Sequence, residues 1–139
     1  MERILVPVDG SKASERAVRH VIRLSVAGMA LRVVLLNVQE EWAPSRSRAE
    51  EEEGTRLHAQ AANRATRRAR ALLKAAGIPF DGRMLVGPAA ERIVRLARDK
   101  RCSHIVMGMR GLGAIARMVI GSVSMKVVQL ADVPVTLVK

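Results

Sequence analysis

The residues in this chain best suited to chemistry are glycines with a particular spacing in its last third. Gly108-Met109-Arg110-Gly111 is followed by nine residues and then by Gly121-Ser122. The pattern predicts a short apolar strand that enters a glycine turn, then a tether, then a second glycine at a helix start. Glycine lets backbone N–H groups approach an anion closely, and the helix dipole favours negative charge at that end. The spacing therefore predicts a phosphate cradle for a nucleotide.

The elements that must position this cradle follow from the apolar pattern. The predicted strands are 4–8, 31–38, 83–86, 104–107 and 134–138. The predicted helices are 12–24, a long second helix that ends near Gly77, 88–101 and 122–131. The polar segment 39–54 is predicted to be a surface loop. Strands that alternate with helices imply an α/β fold, with a parallel sheet covered on both faces.

The first two predicted helices are amphipathic and basic on their outer sides. The first helix has inward-facing Ala17, Val18, Val21 and Ile22 and outward-facing Lys12, Arg16, Arg19 and Arg23. The second has inward-facing Ala61, Ala65, Ala69, Leu72 and Ala76 and outward-facing Arg56, Arg64, Arg67, Arg70 and Lys74. Right-handed crossovers in one direction put both helices on the same face of the sheet. We therefore expect one continuous basic surface.

The position of a ligand follows from the sheet. In an open parallel sheet, ligands bind beyond the carboxyl ends of the strands, where the strand order reverses. If the first strand is central, it neighbours the fourth strand at that point. The first strand ends at Asp9-Gly10 and the fourth at Gly108. Two turns that are far apart in sequence are therefore expected to face one pocket.

Each residue near this pocket suggests a role. The residues that let the backbone approach phosphate, or that offer N–H groups and hydroxyls at the helix start, are Gly108, Gly111, Gly121, Ser122 and Ser124. Arg110 could pair with phosphate oxygens, and Asp9 could accept a ribose hydroxyl or hold a divalent metal. The residues expected to line an apolar slot for a base are Val8, Val38 and Met107.

Other nucleotide motifs do not fit. No glycine-rich loop ends in Gly-Lys-Ser or Gly-Lys-Thr, so a P-loop is absent. Residues 111–116 spell a dinucleotide-binding fingerprint that ends in alanine, and Asp132 follows about twenty residues later. However, Asp132 precedes the last strand instead of ending one, and no further strand–helix–strand unit remains. We therefore reject this motif.

Length and composition limit the classes of protein. A chain of 139 residues with 49% hydrophobic content is most simply one domain, residues 1–139. Cys102 is the single cysteine, which excludes an internal disulfide. The N-terminus does not resemble a signal peptide, and the most apolar stretch is interrupted by Arg23 and Arg32. We therefore expect a cytoplasmic protein that does not cross a membrane.

Several segments together resemble the universal stress protein family. They are Val6-Pro7-Val8-Asp9-Gly10-Ser11, Leu35-Leu36-Asn37-Val38, Ile105-Val106-Met107-Gly108 with its spaced glycines, and the C-terminal run from Ser122 to Lys139. The resemblance covers essentially the whole chain, and the glycine spacing is that of the ATP-binding branch. It implies a Rossmann-like fold with a five-stranded parallel sheet in the order 3-2-1-4-5 and helices on both faces.

The resemblance also implies a function and a set of site residues. The implied ATP contacts are Pro7, Val8, Asp9, Val38, Met107, Gly108, Arg110, Gly111, Gly121, Ser122, Val123 and Ser124. Members of this branch hold ATP, often with a divalent metal such as Mg²⁺ or Mn²⁺, which Asp9 would contact through the nucleotide. They are commonly homodimers joined through the last strand. The implied protein is an ATP-binding regulator of the stress response.

Some features depart from the family and leave alternatives open. The net charge of +11 is unusual for it, His104 stands where an acidic residue is usual, and Trp42 matches no motif. The basic face of the first two helices is the electrostatic footprint that nucleic acid requires, so nucleic-acid binding is one alternative. Slow ATP hydrolysis is another, although an ATPase needs a base or a positioned water. His20, His58 and His104 are predicted to be structural or surface residues, and Cys102 a buried or semi-buried small residue, so we expect no enzyme.

Overall fold

The computed structural model describes residues 1–41, 44–110 and 120–139. The strands are β1 (Glu2–Pro7), β2 (Leu31–Gln39), β3 (Phe80–Val86), β4 (His104–Gly108) and β5 (Val135–Val138). The helices are α1 (Lys12–Val26), α2 (Arg48–Ala75), α3 (Ala89–Asp99) and α4 (Ser122–Leu130). The strands form one parallel sheet in the order β3-β2-β1-β4-β5, which confirms the predicted α/β fold and strand order.

Strand β1 lies at the centre of the sheet. Ile4 is in register with Val33 of β2 on one side and with His104 of β4 on the other. The chain winds from β1 outward to β3 and then returns to β4, so the order reverses between β1 and β4. This reversal creates a crevice at the carboxyl ends of those two strands.

Each face of the sheet carries its own apolar core, because strands buried on both faces alternate their side chains. One core packs α1 and α2 against the sheet and includes Val18 and Leu73. The other packs α3 and α4 and includes Ile93 and Val127. We call these the α1/α2 face and the α3/α4 face. The expectation that the first two helices share a face is confirmed.

Helix α2 differs from the prediction in its start and in its buried side. It begins at Arg48, inside the predicted loop, because Ser47 caps it by accepting a hydrogen bond from the N–H of Glu50. The glutamates at its start also face the positive end of the helix dipole. Its buried residues are Ala62, Thr66, Ala69 and Leu73. The predicted inner side is therefore partly right: Ala69 is buried, Leu72 is half-buried and packs against the core, and Ala61 and Ala65 are half-buried, whereas Ala76 is exposed.

The remaining boundaries differ by a few residues. Strand β3 begins at Phe80, three residues earlier than predicted, since its pairing with β2 starts where Phe80 meets Val33. Helix α1 continues to Val26, two residues beyond the prediction. No helix in the described ranges is both long enough and apolar enough to cross a membrane.

Candidate functional site

A pocket of about 460 Å³ lies at the crevice between β1 and β4. It is bounded by the carboxyl ends of β1, β2 and β4 and by the N-terminal turns of α1, α3 and α4. The residues that line it are Pro7, Val8, Asp9, Ser11, Ser14, Leu36, Val38, Glu40, Ala89, Ile93, Met107, Gly108, Arg110, Gly121, Ser122, Val123 and Ser124.

The structure brings together eleven of the twelve residues predicted for the site. They come from three stretches of the chain: the end of β1, the end of β2 and the region from β4 to α4. The twelfth, Gly111, lies outside the described residues, as does Trp42. The two turns that the sequence placed at one pocket therefore do meet there.

The turn after β1 is organised by the carboxylate of Asp9. Its Oδ1 accepts a hydrogen bond of 2.9 Å from the N–H of Ser11. Gly10, between them, has a φ of +84°, a conformation that side chains with a Cβ rarely adopt. The Ser11 hydroxyl then accepts from the N–H of Ser14 and caps α1. Both serines line the pocket, so this cap also shapes its wall.

Asn37 supports the end of β1 from the neighbouring strand. Its side chain is 2% exposed, and its Nδ2 donates a hydrogen bond of 2.8 Å to the carbonyl of Val8. The N–H of Val8 donates to the carbonyl of Leu36. A buried amide must be satisfied, and here that requirement holds the backbone beside Asp9 in one position. The sequence interpretation gave Asn37 no role, although a polar residue in an apolar strand is a detectable signal.

Gly108 has a packing role that the sequence did not predict. A Cβ at this position would lie 2.8 Å from the carbonyl carbon of Ala13 and 3.0 Å from its oxygen. Real Cβ atoms do not come this close to backbone. The glycine therefore lets α1 pack directly on the end of β4, and its small size is explained by the fold itself.

The hydroxyl of Ser124 is also used within the protein. It is buried and donates a hydrogen bond of 2.9 Å to the carbonyl of Gly108. Its proton therefore fixes α4 against β4, and any role of this hydroxyl toward a ligand would be as an acceptor. Ser122 and Val123 are exposed at the pocket.

The N-terminus of α4 is held at the pocket by its glycine. The N–H of Gly121 donates to the carbonyl of Met109 at 2.8 Å, and the N–H of Met109 donates to the carbonyl of Val138. Gly121 occupies the cap position, where it has no side chain to satisfy the first N–H groups of the helix. Within the part of the chain that the structure describes, the N–H groups of residues 122–124 are thus available to an anion in the pocket.

Six further pocket residues were missed by the sequence interpretation. They are Ser11, Ser14, Leu36, Glu40, Ala89 and Ile93. Leu36 and Val38 of β2, and Glu40 just after it, stand at every second position, so the period of two residues in a strand was a usable signal. No comparable signal in the sequence predicted that Ala89 and Ile93 of α3 line the pocket, because the position of α3 depends on how the helices pack.

The described residues contain no cluster of three or more His, Cys, Asp or Glu side chains that could hold a metal ion by themselves. None of the three histidines lines the pocket. Cys102 is 4% exposed, and burial raises the pKa of its thiol above the ordinary value, which disfavours the reactive thiolate. The prediction of a buried or semi-buried cysteine is confirmed.

A family model described as the universal stress protein family matches residues 1–139. The chain belongs to that family. It is 33% identical over 137 residues to a universal stress protein of Thermus aquaticus, with 98% of this chain and 97% of that protein covered. The family resemblance stated from the sequence motifs is confirmed.

Solved structures of the universal stress protein fold also match the chain. The structure of hypothetical protein MJ0577 matches with a TM-score of 0.83 and 29% identity, covering 99% of this chain and 95% of that one. A universal stress protein in complex with cAMP matches with a TM-score of 0.72 and 26% identity, covering 99% and 97% of the two chains. The strand order is that expected for a universal stress protein.

Proposed function

We propose that this universal stress protein binds an adenine nucleotide, ATP, in the pocket between β1 and β4 and acts as a regulatory protein, not as an enzyme. One observation carries the proposal. The pocket joins an anion-favouring end, formed by the uncapped N-terminus of α4, to an apolar end lined by Val38, Ile93 and Met107. A nucleotide has the same two-part chemistry, with charged phosphates at one end and a flat base at the other.

The choice of adenine draws support from a relative. The universal stress protein that is 26% identical to this chain was solved with cAMP, an adenine nucleotide. Arg110, which lines the pocket, would pair with phosphate oxygens, since a guanidinium matches the geometry of phosphate. Val8 and Pro7, at the end of β1, would contact the ribose and base.

A divalent metal would enter with the nucleotide. Mg²⁺ and Mn²⁺ prefer oxygen ligands and are usually held by one or two carboxylates together with phosphate oxygens. Asp9 fits this role, because the hydrogen bond from Ser11 already orients its carboxylate at the pocket. The metal would neutralise phosphate charge there. Among the described residues, no group of three or more His, Cys, Asp or Glu side chains would hold the metal without the nucleotide.

We further propose a homodimer joined through β5. This strand lies at the edge of the sheet and is half-buried along its length, with three of its four residues apolar. Unpaired strand edges favour pairing with another chain. Helix α4, which packs beside β5, exposes Met125 at 50% and Val128 at 49%. The N–H of Met109 donates a hydrogen bond to the carbonyl of Val138, which links this edge to the pocket. Binding of a nucleotide would therefore affect the structure of the dimer interface.

The experiment that tests the nucleotide proposal is mass spectrometry of the small molecules released when the purified protein is denatured, together with its thermal unfolding. We expect released adenine nucleotide, and a higher Tm when ATP and Mg²⁺ are added to protein freed of nucleotide. A ligand at about 100 times its Kd stabilises a protein by about 2.7 kcal/mol. The proposal would be contradicted if the purified protein carried no nucleotide and its Tm did not change when ATP and Mg²⁺ were added. Slow hydrolysis and a cytoplasmic location stay predictions from the sequence.

A further inference from the structure

The positive charge of this protein is concentrated on one side of the sheet. Residues 12–39 and 54–80 contain eleven of the 24 basic residues of the chain but only one of its 13 acidic residues, Glu15. The rest of the chain is therefore close to neutral. These two segments include all of α1 and most of α2, the helices of the α1/α2 face.

Nine cations on these two helices form what we call the basic surface. They are Lys12, Arg16, Arg19, Arg23, Arg64, Arg67, Arg68, Arg70 and Lys74. Seven of them are exposed, and Arg16 and Arg70 are half-buried. Because α1 and α2 pack side by side, the two rows of cations belong to one continuous surface.

Few of these charges are compensated within the protein. Glu15 pairs with both Arg19 and Arg68, at 3.4 and 3.0 Å, and the second pair bridges α1 to α2. Arg16 and Arg70 donate hydrogen bonds to backbone oxygens. The other five have no ion-pair partner among the residues that the structure describes: Lys12, Arg23, Arg64, Arg67 and Lys74.

The α3/α4 face shows the opposite arrangement, although it uses the same residue types. Three of the four cations on α3 and α4 are paired with nearby carboxylates, as Arg95–Asp99, Arg98–Asp132 and Lys126–Glu91, and the fourth, Arg92, donates to the carbonyl of Val86. A general excess of arginine in the chain does not explain such a difference between two faces of one sheet. The lack of compensation is specific to the basic surface.

The helix dipole does not explain the basic surface either. It favours cations only in the last turn of a helix, and it disfavours them in the first turn. Lys12 stands at the first residue of α1, and Arg64 and Arg67 lie in the middle of α2. In addition, like charges three or four residues apart on a helix destabilise it. The protein therefore maintains this surface at a cost to its own stability, which an anionic partner would offset.

We propose that the basic surface binds the phosphate backbone of double-stranded nucleic acid without sequence preference. The row from Lys12 to Arg23 spans about 16 Å along α1. A DNA duplex presents about ten phosphates over that length. Seven of the nine cations are arginine, whose guanidinium pairs with phosphate through two hydrogen bonds.

The chemistry of the surface favours a duplex over two other polyanions. Single strands are held largely by stacking of bases on aromatic side chains, and neither α1 nor α2 contains Phe, Trp or Tyr. Membrane-surface helices insert an apolar side into the lipid. The apolar sides of α1 and α2, with Val18 and Leu73, are buried in the core instead. A duplex needs only phosphate contacts from its partner.

The test is fluorescence anisotropy of a labelled DNA duplex of arbitrary sequence, titrated with the full-length protein at several NaCl concentrations. If about four phosphates are contacted, a fourfold rise in salt weakens the affinity about a hundredfold. We expect the same affinity for a second, unrelated duplex and weaker binding of a single strand of equal length. No binding at about 100 µM protein in low salt would overturn the proposal.

A matched pair of variants locates the binding. The test variant carries Arg23→Gln, Arg64→Gln and Arg67→Gln, and the control carries Arg48→Gln, Arg83→Gln and Arg95→Gln, which removes the same charge elsewhere. Each control residue is exposed and ion-paired. We expect the test variant to bind at least tenfold more weakly and with a shallower salt dependence, while the control binds as the wild type does.

Three results would overturn the proposal. One is an equal loss of affinity in both variants, once circular dichroism has shown that both are folded. Another is binding of a single strand as tight as binding of the duplex. The third is tighter binding to vesicles of anionic lipid than to the duplex, with the same dependence on the three arginines. None of these measurements involves ATP, so the outcome is independent of the proposed nucleotide site.

Discussion

The hydroxyl of Ser124 donates a hydrogen bond of 2.9 Å to the carbonyl of Gly108. This contact joins the first turn of α4 to the last residue of β4 across sixteen positions of sequence, and both residues are buried. The N-terminus of α4 is thereby fixed at the pocket. The position of its N–H groups, and so of any phosphate they bind, depends on this bond.

Replacement of Ser124 by alanine tests the contact. Ser124→Ala leaves the Gly108 carbonyl without its donor in a buried setting, so we expect a loss of about 1–3 kcal/mol in the free energy of unfolding. We also expect weaker ATP binding, because α4 is less firmly placed. Chemical denaturation and calorimetry measure the two effects.

A suitable control is Thr55→Ala, since that hydroxyl also donates to a backbone carbonyl but is exposed. We expect the control to change stability by less than about 0.5 kcal/mol. Equal stability of the Ser124→Ala and Thr55→Ala variants would show that the bond between α4 and β4 contributes little.

The contact between Gly108 and Ala13 predicts an effect on stability. Gly108→Ala places a Cβ 2.8 Å from the backbone of Ala13, and backbone cannot move aside as a side chain can. We expect a loss of about 1–3 kcal/mol from overpacking, measured by urea denaturation. Gly82→Ala is the matched control, because no atom lies within 4 Å of a Cβ there. If both variants were as stable as the wild type, α1 would not pack on β4 as described.

His104 predicts a dependence of stability on pH. Burial, assisted by electrostatic repulsion from the neighbouring His20 and opposed by Glu2, lowers the pKa of His104 below its ordinary value of 6.5. As the pH falls below 6.5, the unfolded chain takes up a proton before the folded protein does, and the folded state loses stability. Above 6.5 this loss is absent.

The His104→Gln variant, which does not titrate, removes that source of pH dependence. We expect its free energy of unfolding to fall less than that of the wild type between about pH 7.5 and pH 5. If the free energy of unfolding of His104→Gln depended on pH as that of the wild type does, His104 would not be the source of this dependence.

The proposed dimer makes a prediction about mass in solution. Light scattering during gel filtration should give twice the 15.2 kDa of the chain. The double variant Met125→Lys and Val128→Lys adds charge to the apolar surface beside β5, so we expect it to elute as a single chain. Val26→Lys, at a residue 84% exposed at the end of α1, should remain dimeric. A monomeric wild type would contradict the proposal, and so would a dimeric double variant.

Much of the fold and of the pocket followed from the sequence, for a physical reason. Parallel strands buried on both faces are nearly continuous apolar runs, and the ligand position in such a sheet depends on topology. Asp9 and Gly108 could therefore be assigned to one pocket although about a hundred residues separate them. Residues whose role depends on distances between elements, such as Ala89 of α3, could not.

Helix α2 shows where the periodicity of apolar residues fails to identify the buried side of a helix. Its many alanines fit either side of a helix equally well, so the direction of the buried side was uncertain within one residue. Thr66 is buried because its hydroxyl donates to the carbonyl of Ala62. The sequence alone does not distinguish a polar residue whose side chain forms a hydrogen bond to its own helix from an exposed polar residue. The packing role of Gly108 was not predicted for a similar reason, since its close neighbour, Ala13, is known only from the structure.

The most direct test of the proposed site is isothermal titration calorimetry of nucleotide-free protein with ATP and Mg²⁺. Gly121 has a φ of −64°, which any residue adopts, so Gly121→Val should fold normally while its side chain obstructs the phosphates at the start of α4. We predict saturable binding of ATP by the wild type and by the control Gly82→Val, weaker binding of GTP, and no measurable ATP binding by Gly121→Val. Normal ATP binding by a folded Gly121→Val variant would contradict the account.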